Sequence, residues 1–304
     1  MKKTAFAFII SLSCVAVFPQ YSGRMAQPAV QANQSGLLEY TKDARGNRIP
    51  DYSYCGYMAS EQPIPELPVR AVVSWMSGDN TERIQQAIDY VSSLEPDAQG
   101  FRGAVLLEKG CFEITWGLTI SASGVVLRGS GHMEGETELY GSSTDRTTLI
   151  RIAGGKEYKT GEYMSIASFV PTGAAAFVVP GHSFKSVDRI RIMRPGTQAW
   201  IDAMDMNDFG GESSYIGWKP EDMVLYWERQ VKELRGDSIL LDAPLSCALD
   251  PEFGGGLVCS LECPGRISRS GVENLRLRSA YDTNNPKDEN HCWVAINMDN
   301  IEDA

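Results

Sequence analysis

Near the end of the chain, between two β-rich runs, the stretch NPKDENHCW (Asn285 to Trp293) gathers a lysine, two acids and a histidine. An imidazole such as that of His291 suits a general base near neutral pH, and an ammonium such as that of Lys287 can offset a substrate carboxylate. Lys287, Asp288 and His291 are therefore the candidate catalytic residues. Asp282, Asp288 and Glu289 are hard oxygen donors of the kind Ca²⁺ takes, and they form the candidate metal set. The same residues also suit a solvated turn, since Asn284, Asn285 and Pro286 are ordinary turn formers.

A second constellation lies upstream, in a long stretch rich in aromatics and acids. Trp200, Tyr215 and Trp218 offer faces on which the C–H side of a sugar ring can rest, and Arg229 offers hydrogen bonds to its polar rim. These four are the candidate substrate-binding residues, although Trp227 on the same stretch sits in a strand pattern and fits a core position. Asp202, Asp205 and Asp208 recur every third residue, whereas a calcium loop needs them every second. The RGD at Arg235 to Asp237 reads as a tight turn between strands. His132 and His182 each follow a glycine at a chain corner and suit satisfied turn positions. No G-x-S-x-G, P-loop or H-E-x-x-H motif occurs, so esterase, nucleotide hydrolase and zincin chemistry have no support.

Length and composition bound what can carry these groups. The 304 residues are 43% hydrophobic and 22% charged, as in a globular protein with a large core or two domains. A net charge of -11 argues against nucleic acid as a partner, and an acidic glycan would need a local basic groove or a bridging cation. The opening MKKTAFAFIISLSCVAVFPQ has a basic start and a short apolar run, the pattern of a secretory leader rather than a membrane span. Export to the periplasm, cell surface or medium is expected, with a lipid anchor on Cys14 as the rival. Six cysteines remain outside that leader, and Cys259 with Cys263 lacks the second close Cys/His pair that a zinc site needs.

The elements that must position the candidates come next. Asp79, Asn80 and Thr81 precede Ile84, Ala87, Ile88 and Val91 at helical spacing, which predicts one capped amphipathic helix. Short apolar runs broken by glycine follow, and Val126, Ile150 and Val178, then Leu275 and Ile296, recur at intervals of roughly 20–30 residues, the rhythm of a solenoid. The helix with GAVLLEKGCFEI and LTISASGVVLRGSG resembles the N-terminal part of the pectate-lyase-like superfamily. The match is carried by Asp79, Thr81, Ile84, Gln85, Ala87, Ile88, Gly103, Val105, Gly110, Phe112, Ile114, Leu127, Arg128, Gly129 and Gly131. Glu108 and Lys109 stand where that pattern often has proline.

The resemblance implies an all-β, right-handed, single-stranded parallel β-helix with an N-terminal cap helix and a small β-insertion, its coils continuing past Ala304. The expected layout is a leader over 1–24, an arm over 25–76, cap helix and first coils over 77–182, a β-rich insertion over 183–262 and resumed coils over 263–304. The expected function is breakdown of an extracytoplasmic polysaccharide, foremost by a lyase eliminating across a uronate. The alternatives are a glycoside hydrolase with two paired acids and a non-catalytic carbohydrate-binding or adhesin module.

Overall fold

A computed structural model describes residues 29–166, 168–211 and 216–304. The leader expected over 1–24, with Cys14, and the candidate Tyr215 lie outside the described residues. No helix among the described residues is long and apolar enough to cross a membrane.

The chain begins with a small antiparallel hairpin, β1 (Val30–Ala32) and β2 (Leu38–Tyr40), and reaches β3 (Val69–Val73) through two short 3₁₀ turns. Helix α1 (Thr81–Ser93) follows as expected from its spacing. Asn80 is its N-cap but spends its side chain on the carbonyls of Met76 and Gly78, while Asp79 accepts the Thr81 N–H at 2.9 Å. Asp79 thus satisfies one of the helix's free N–H groups. Ile84, Ile88 and Val91 on one face of α1 are buried in the same core as the strands that come next.

Two turns of chain then stack. The first holds β4 (Gly103–Leu107), β5 (Gly110–Ile114) and β6 (Leu118–Ile120). The second holds β7 (Val125–Gly129), β8 (Thr137–Gly141) and β9 (Thr148–Ala153). Each strand of the second turn lies parallel to its counterpart in the first, with Ala104 beside Val126, Phe112 beside Leu139 and Ile120 beside Ile152. Alternation does the rest: Val105, Phe112, Ile114, Leu127, Leu139, Ile150 and Ile152 point inward and are buried. Neighbours such as Arg128, Glu138 and Arg151 point out, so one period-2 pattern builds both an interior and a decorated flank.

After Ala153 the chain leaves the stack. It makes β10 (Lys159–Thr160), β11 (Met164–Ile166), β12 (Ala176–Val178), β13 (Arg189–Arg194), α2 (Gln198–Ala203), β14 (Leu225–Arg235), β15 (Ser238–Leu241) and β16 (Gly256–Glu262). These strands form one antiparallel sheet in the order β10-β16-β13-β14-β15-β12, with β11 also on β16. A second core, including Ile190, Ile192, Trp227, Val231, Ile239 and Val258, fills this unit. Arg45 on the arm pairs with Asp250 at 2.6 Å, and Arg48 reaches the Gly173 carbonyl, so the arm lies partly on this sheet.

The chain returns through β17 (Ile267–Ser268), β18 (Gly271–Glu273), β19 (Arg276–Ser279) and β20 (Val294–Asp299). β18, β19 and β20 stack in parallel on β7, β8 and β9. A final strand, β21 (Ile301–Glu302), lies parallel to β17 and starts a further turn. The chain is thus mostly β, with parallel sheets on three faces of a coil.

Two expectations need correction. The antiparallel sheet already includes Lys159 and Val178, so the departure from the coils comes after Ala153 rather than at 183. The spacing that suggested coils also joined the wrong residues: Val126 stacks on Ala104 and Gly271, Ile150 on Leu118 and Ile296, and Val178 pairs antiparallel with Ser238. A regular interval of apolar residues reports strands that recur, but not which face of the coil each one occupies.

Candidate functional site

The corner between the second and third faces changes from coil to coil. It is residues 115–117 in the first coil, 142–147 in the second and 280–293 in the third, so the candidate stretch is the longest of three stacked corners. Trp116 projects from the first with 72% exposure. Arg146 projects from the second, lies 4.3 Å from the centre of the Trp293 ring and pairs with Glu289. The long corner is therefore tied to the coil beneath it.

Inside this loop the acids are mostly spent on backbone. Asp288 accepts the N–H groups of Asp282 (2.8 Å) and Asn290 (2.9 Å), which hold its carboxyl below the usual range, with His291 adding to the effect. Asp282 accepts the Asn284 N–H at 2.9 Å in an Asx turn. Glu289 faces Arg146 instead. Among the described residues no group of three or more His, Cys, Asp or Glu side chains gathers to hold a metal. The proposed Ca²⁺ set of Asp282, Asp288 and Glu289 does not converge, because two of its members close turns and the third makes an ion pair.

His291 does face a recess. Its Nδ1 lies 3.5 Å from Asp288 Oδ2, an ion-pair distance, yet this buried nitrogen has no hydrogen-bond partner among the described residues. An open hollow of about 510 Å³ is lined by Arg278, Ser279, Tyr281, Asp282, Asp288 and His291, among others. Lys287 is exposed, and its backbone N–H caps Asn285; its side chain does not line the hollow. Arg278 is the cation that does, a residue absent from the candidate set. Its guanidinium lies over Tyr140 at 4.4 Å and binds Glu138 at 2.6 Å. Partial burial opposes ionisation of Glu138, but Arg278, the Cys111 thiol and Arg276 outweigh it and hold its carboxyl low. Glu138 and Tyr140 come from β8 and Arg278 from β19, neighbours in space but far apart in sequence, which is why spacing hid them.

The substrate-binding candidates of the insertion separate. Trp200 and Trp218 come together, stacked at 5.3 Å and 10°, with Arg194 over Trp200 at 4.2 Å. Arg194 is 3% exposed and covers one face of Trp200, while both tryptophans remain half-buried. Arg229 is structural: it donates to the carbonyls of Glu228, Ala243 and Pro244, and burial pushes its pKa down. Trp227 is buried in the second core, its indole N–H donating to Ser246 at 2.9 Å. Asp202 accepts from Gln198 and Asn207.

A further cleft lies where the antiparallel sheet meets the third coil. About 520 Å³ in volume, it is lined by Lys156, Tyr158, Glu228, Arg266, Asp299, Asn300 and Ile301. Of these, only Glu228 stands out in the sequence, because the others sit in segments that read as loop.

No family model matches the sequence, and no curated protein matches it. Among solved structures, the chain is similar to the Gp54 tailspike of Acinetobacter baumannii bacteriophage AP22 in complex with A. baumannii capsular saccharide. Identity is 10%, the TM-score 0.38, and the match covers 74% of this chain and 29% of that one. It is also similar to the Pseudomonas phage phi297 tailspike gp61, at 13% identity and TM-score 0.33, covering 65% of this chain and 27% of that one. For the tailspike protein gp49 from Pseudomonas phage LKA1 the values are 14% and 0.29, covering 62% and 26%. The chain therefore spans less than a third of the length of each of these proteins.

Proposed function

We propose that this chain is an exported polysaccharide-binding protein of the right-handed parallel β-helix type, which cleaves a uronate-containing glycan by β-elimination at the third-coil corner. The observation that carries this reading is the open hollow that His291 and Arg278 both line. A carboxylate placed against Arg278 has its charge offset, which acidifies the proton on the adjacent carbon. His291 removes that proton, the electron pair forms a carbon–carbon double bond, and the bond to the glycosidic oxygen breaks. The departing oxygen takes up a proton to become a hydroxyl. Asp288 acts as a positioning residue, since its carboxylate is fixed by two N–H groups beside the ring.

The state of these acids weighs against a hydrolase at this corner and leaves saccharide binding without cleavage as the second reading. A hydrolase needs two carboxylates free to act as acid and base or nucleophile. Here Asp282, Asp288 and Glu289 are engaged by backbone N–H groups or by Arg146.

Incubation with a panel of neutral and uronate polysaccharides tests both. Unsaturated, ultraviolet-absorbing ends are expected from one uronate polymer, and chelator is expected to leave the rate unchanged because the acids do not gather. Retention of the polymer without product would sink the lyase reading and support binding alone. Saturated reducing ends would point to hydrolysis.

A further inference from the structure

The cleft between the antiparallel sheet and the third coil brings basic and acidic groups together on one lining. Glu228 sits between two guanidiniums, its Oε1 accepting from Arg191 Nη2 at 3.0 Å and its Oε2 pairing with Arg266. Both carboxylate oxygens are thereby used. Burial opposes its ionisation, but the two arginines prevail and hold its carboxyl low. Asp299 is the other acid on the cleft, and its contact with Lys156 is a loose 3.9 Å. Lys156 and Arg266 thus line the cleft with Glu228 and Asp299, and Arg191 adds a third cation from beneath Tyr158. The neighbouring Arg189 is matched by Glu302 and adds no net charge.

Two details mark where the surplus lies. Arg191 Nε is buried without a hydrogen-bond partner among the described residues, and Lys156 is 80% exposed. Tyr158 covers the Arg191 guanidinium at 4.2 Å, yet remains 57% exposed, so one side of its ring is covered by the cation and the other is open. An open aromatic face beside a loosely paired, exposed ammonium suits a sugar ring with a charged substituent: the C–H face rests on the ring and the carboxylate meets the ammonium. Asn300 holds Arg266 Nε through its Oδ1 at 3.0 Å and so fixes the floor.

We propose that this cleft is a second saccharide subsite, distinct from the His291 hollow, which binds a uronate residue through Tyr158 and Lys156. The proposal rests on the saccharide reading and deepens it: a chain held at the cleft and at the corner would be gripped at two places on the third coil.

The test is calorimetric titration of the whole protein with trisaccharides of galacturonate, glucuronate and mannuronate, each beside its carboxyl-reduced counterpart. At least one acidic trisaccharide is expected to bind about tenfold more tightly than its neutral form. Lys156→Ala should weaken it about three- to fivefold, Lys156→Arg should restore it, and Tyr158→Ala should cost about tenfold. Unchanged melting temperatures of the Lys156 variants show that they fold. Equal binding of acidic and neutral forms, or affinity indifferent to Lys156→Ala, overturns the subsite. If affinity falls only with His291→Ala, the subsite is wrong while the saccharide reading stands. Absence of binding to every trisaccharide and to the polysaccharide panel overturns that reading as well.

Discussion

Asp288 illustrates how one carboxylate can shape a loop and still face a reactive group. Its two N–H bonds keep it ionised and in place, so replacing His291 should remove proton abstraction without unmaking the loop. His291→Ala is expected to cut formation of unsaturated product by about 10²–10⁴-fold, the usual share of a general base, with polymer retention unchanged. Initial rates by ultraviolet absorbance check this. Glu228 gives a different prediction. Its pKa in the folded chain lies below the ordinary 4.5, so its stabilisation is present above that pH and is lost as pH falls through the depressed value. Glu228→Gln should lower stability near neutrality by about 1–2 kcal/mol, the carboxylate being one-third exposed. It should also flatten the loss of thermal stability below pH 4.5. Parallel pH profiles for the two proteins would contradict this assignment.

At the scale of elements, the coil register depends on strands and the chemistry on corners. The 280–293 loop adds nothing to the fully buried core, while β19 and β20 on either side of it pair directly with β8 and β9. Replacing 283–290 with a short Gly/Ser turn should therefore abolish product while shifting the melting temperature by only a few degrees, measured by circular dichroism. A collapse of the fold would show that the Arg146 contacts to Glu289 and Trp293 anchor the coil. The same division explains what was legible in the sequence. Helix α1 could be read because Asp79 and the spacing of Ile84, Ile88 and Val91 act locally. The strands could be read from alternation, but their partners could not, since Val126 meets Gly271 only after a long excursion. The loop's place at a corner was legible, but Arg278 was not, because its link to Glu138 and Tyr140 exists only after coils stack. Arg229 misled for the opposite reason: the carbonyls of Ala243 and Pro244 that occupy it leave no mark on its own segment.

At the scale of the whole molecule, the described residues form two cores, one inside the coils and one inside the antiparallel sheet. The first two coils contact one another across short loops, whereas the third must find them from the far side of the insertion. Loop closure over such a distance slows folding. In pulse-labelling hydrogen exchange during refolding, β4–β9 are expected to gain protection before β18–β20, with β13–β16 protected no later than β18. Simultaneous protection of all three coils would refute this order.

The point of departure and return has a further consequence. Gly155 N–H donates to Gly265 O at 2.7 Å, and a Cβ on Gly265 would press on Gly155 at 2.8 Å, so the outgoing and incoming chains touch at a neck that only glycine admits. The backbone passes between stem and sheet at this one neck, and the pairs Arg189–Glu302 and Glu228–Arg266 clasp the two beside it. The stem's register is set on either side of the neck, and a different unit that kept those clasps could be seated at the same junction without rewriting the coils.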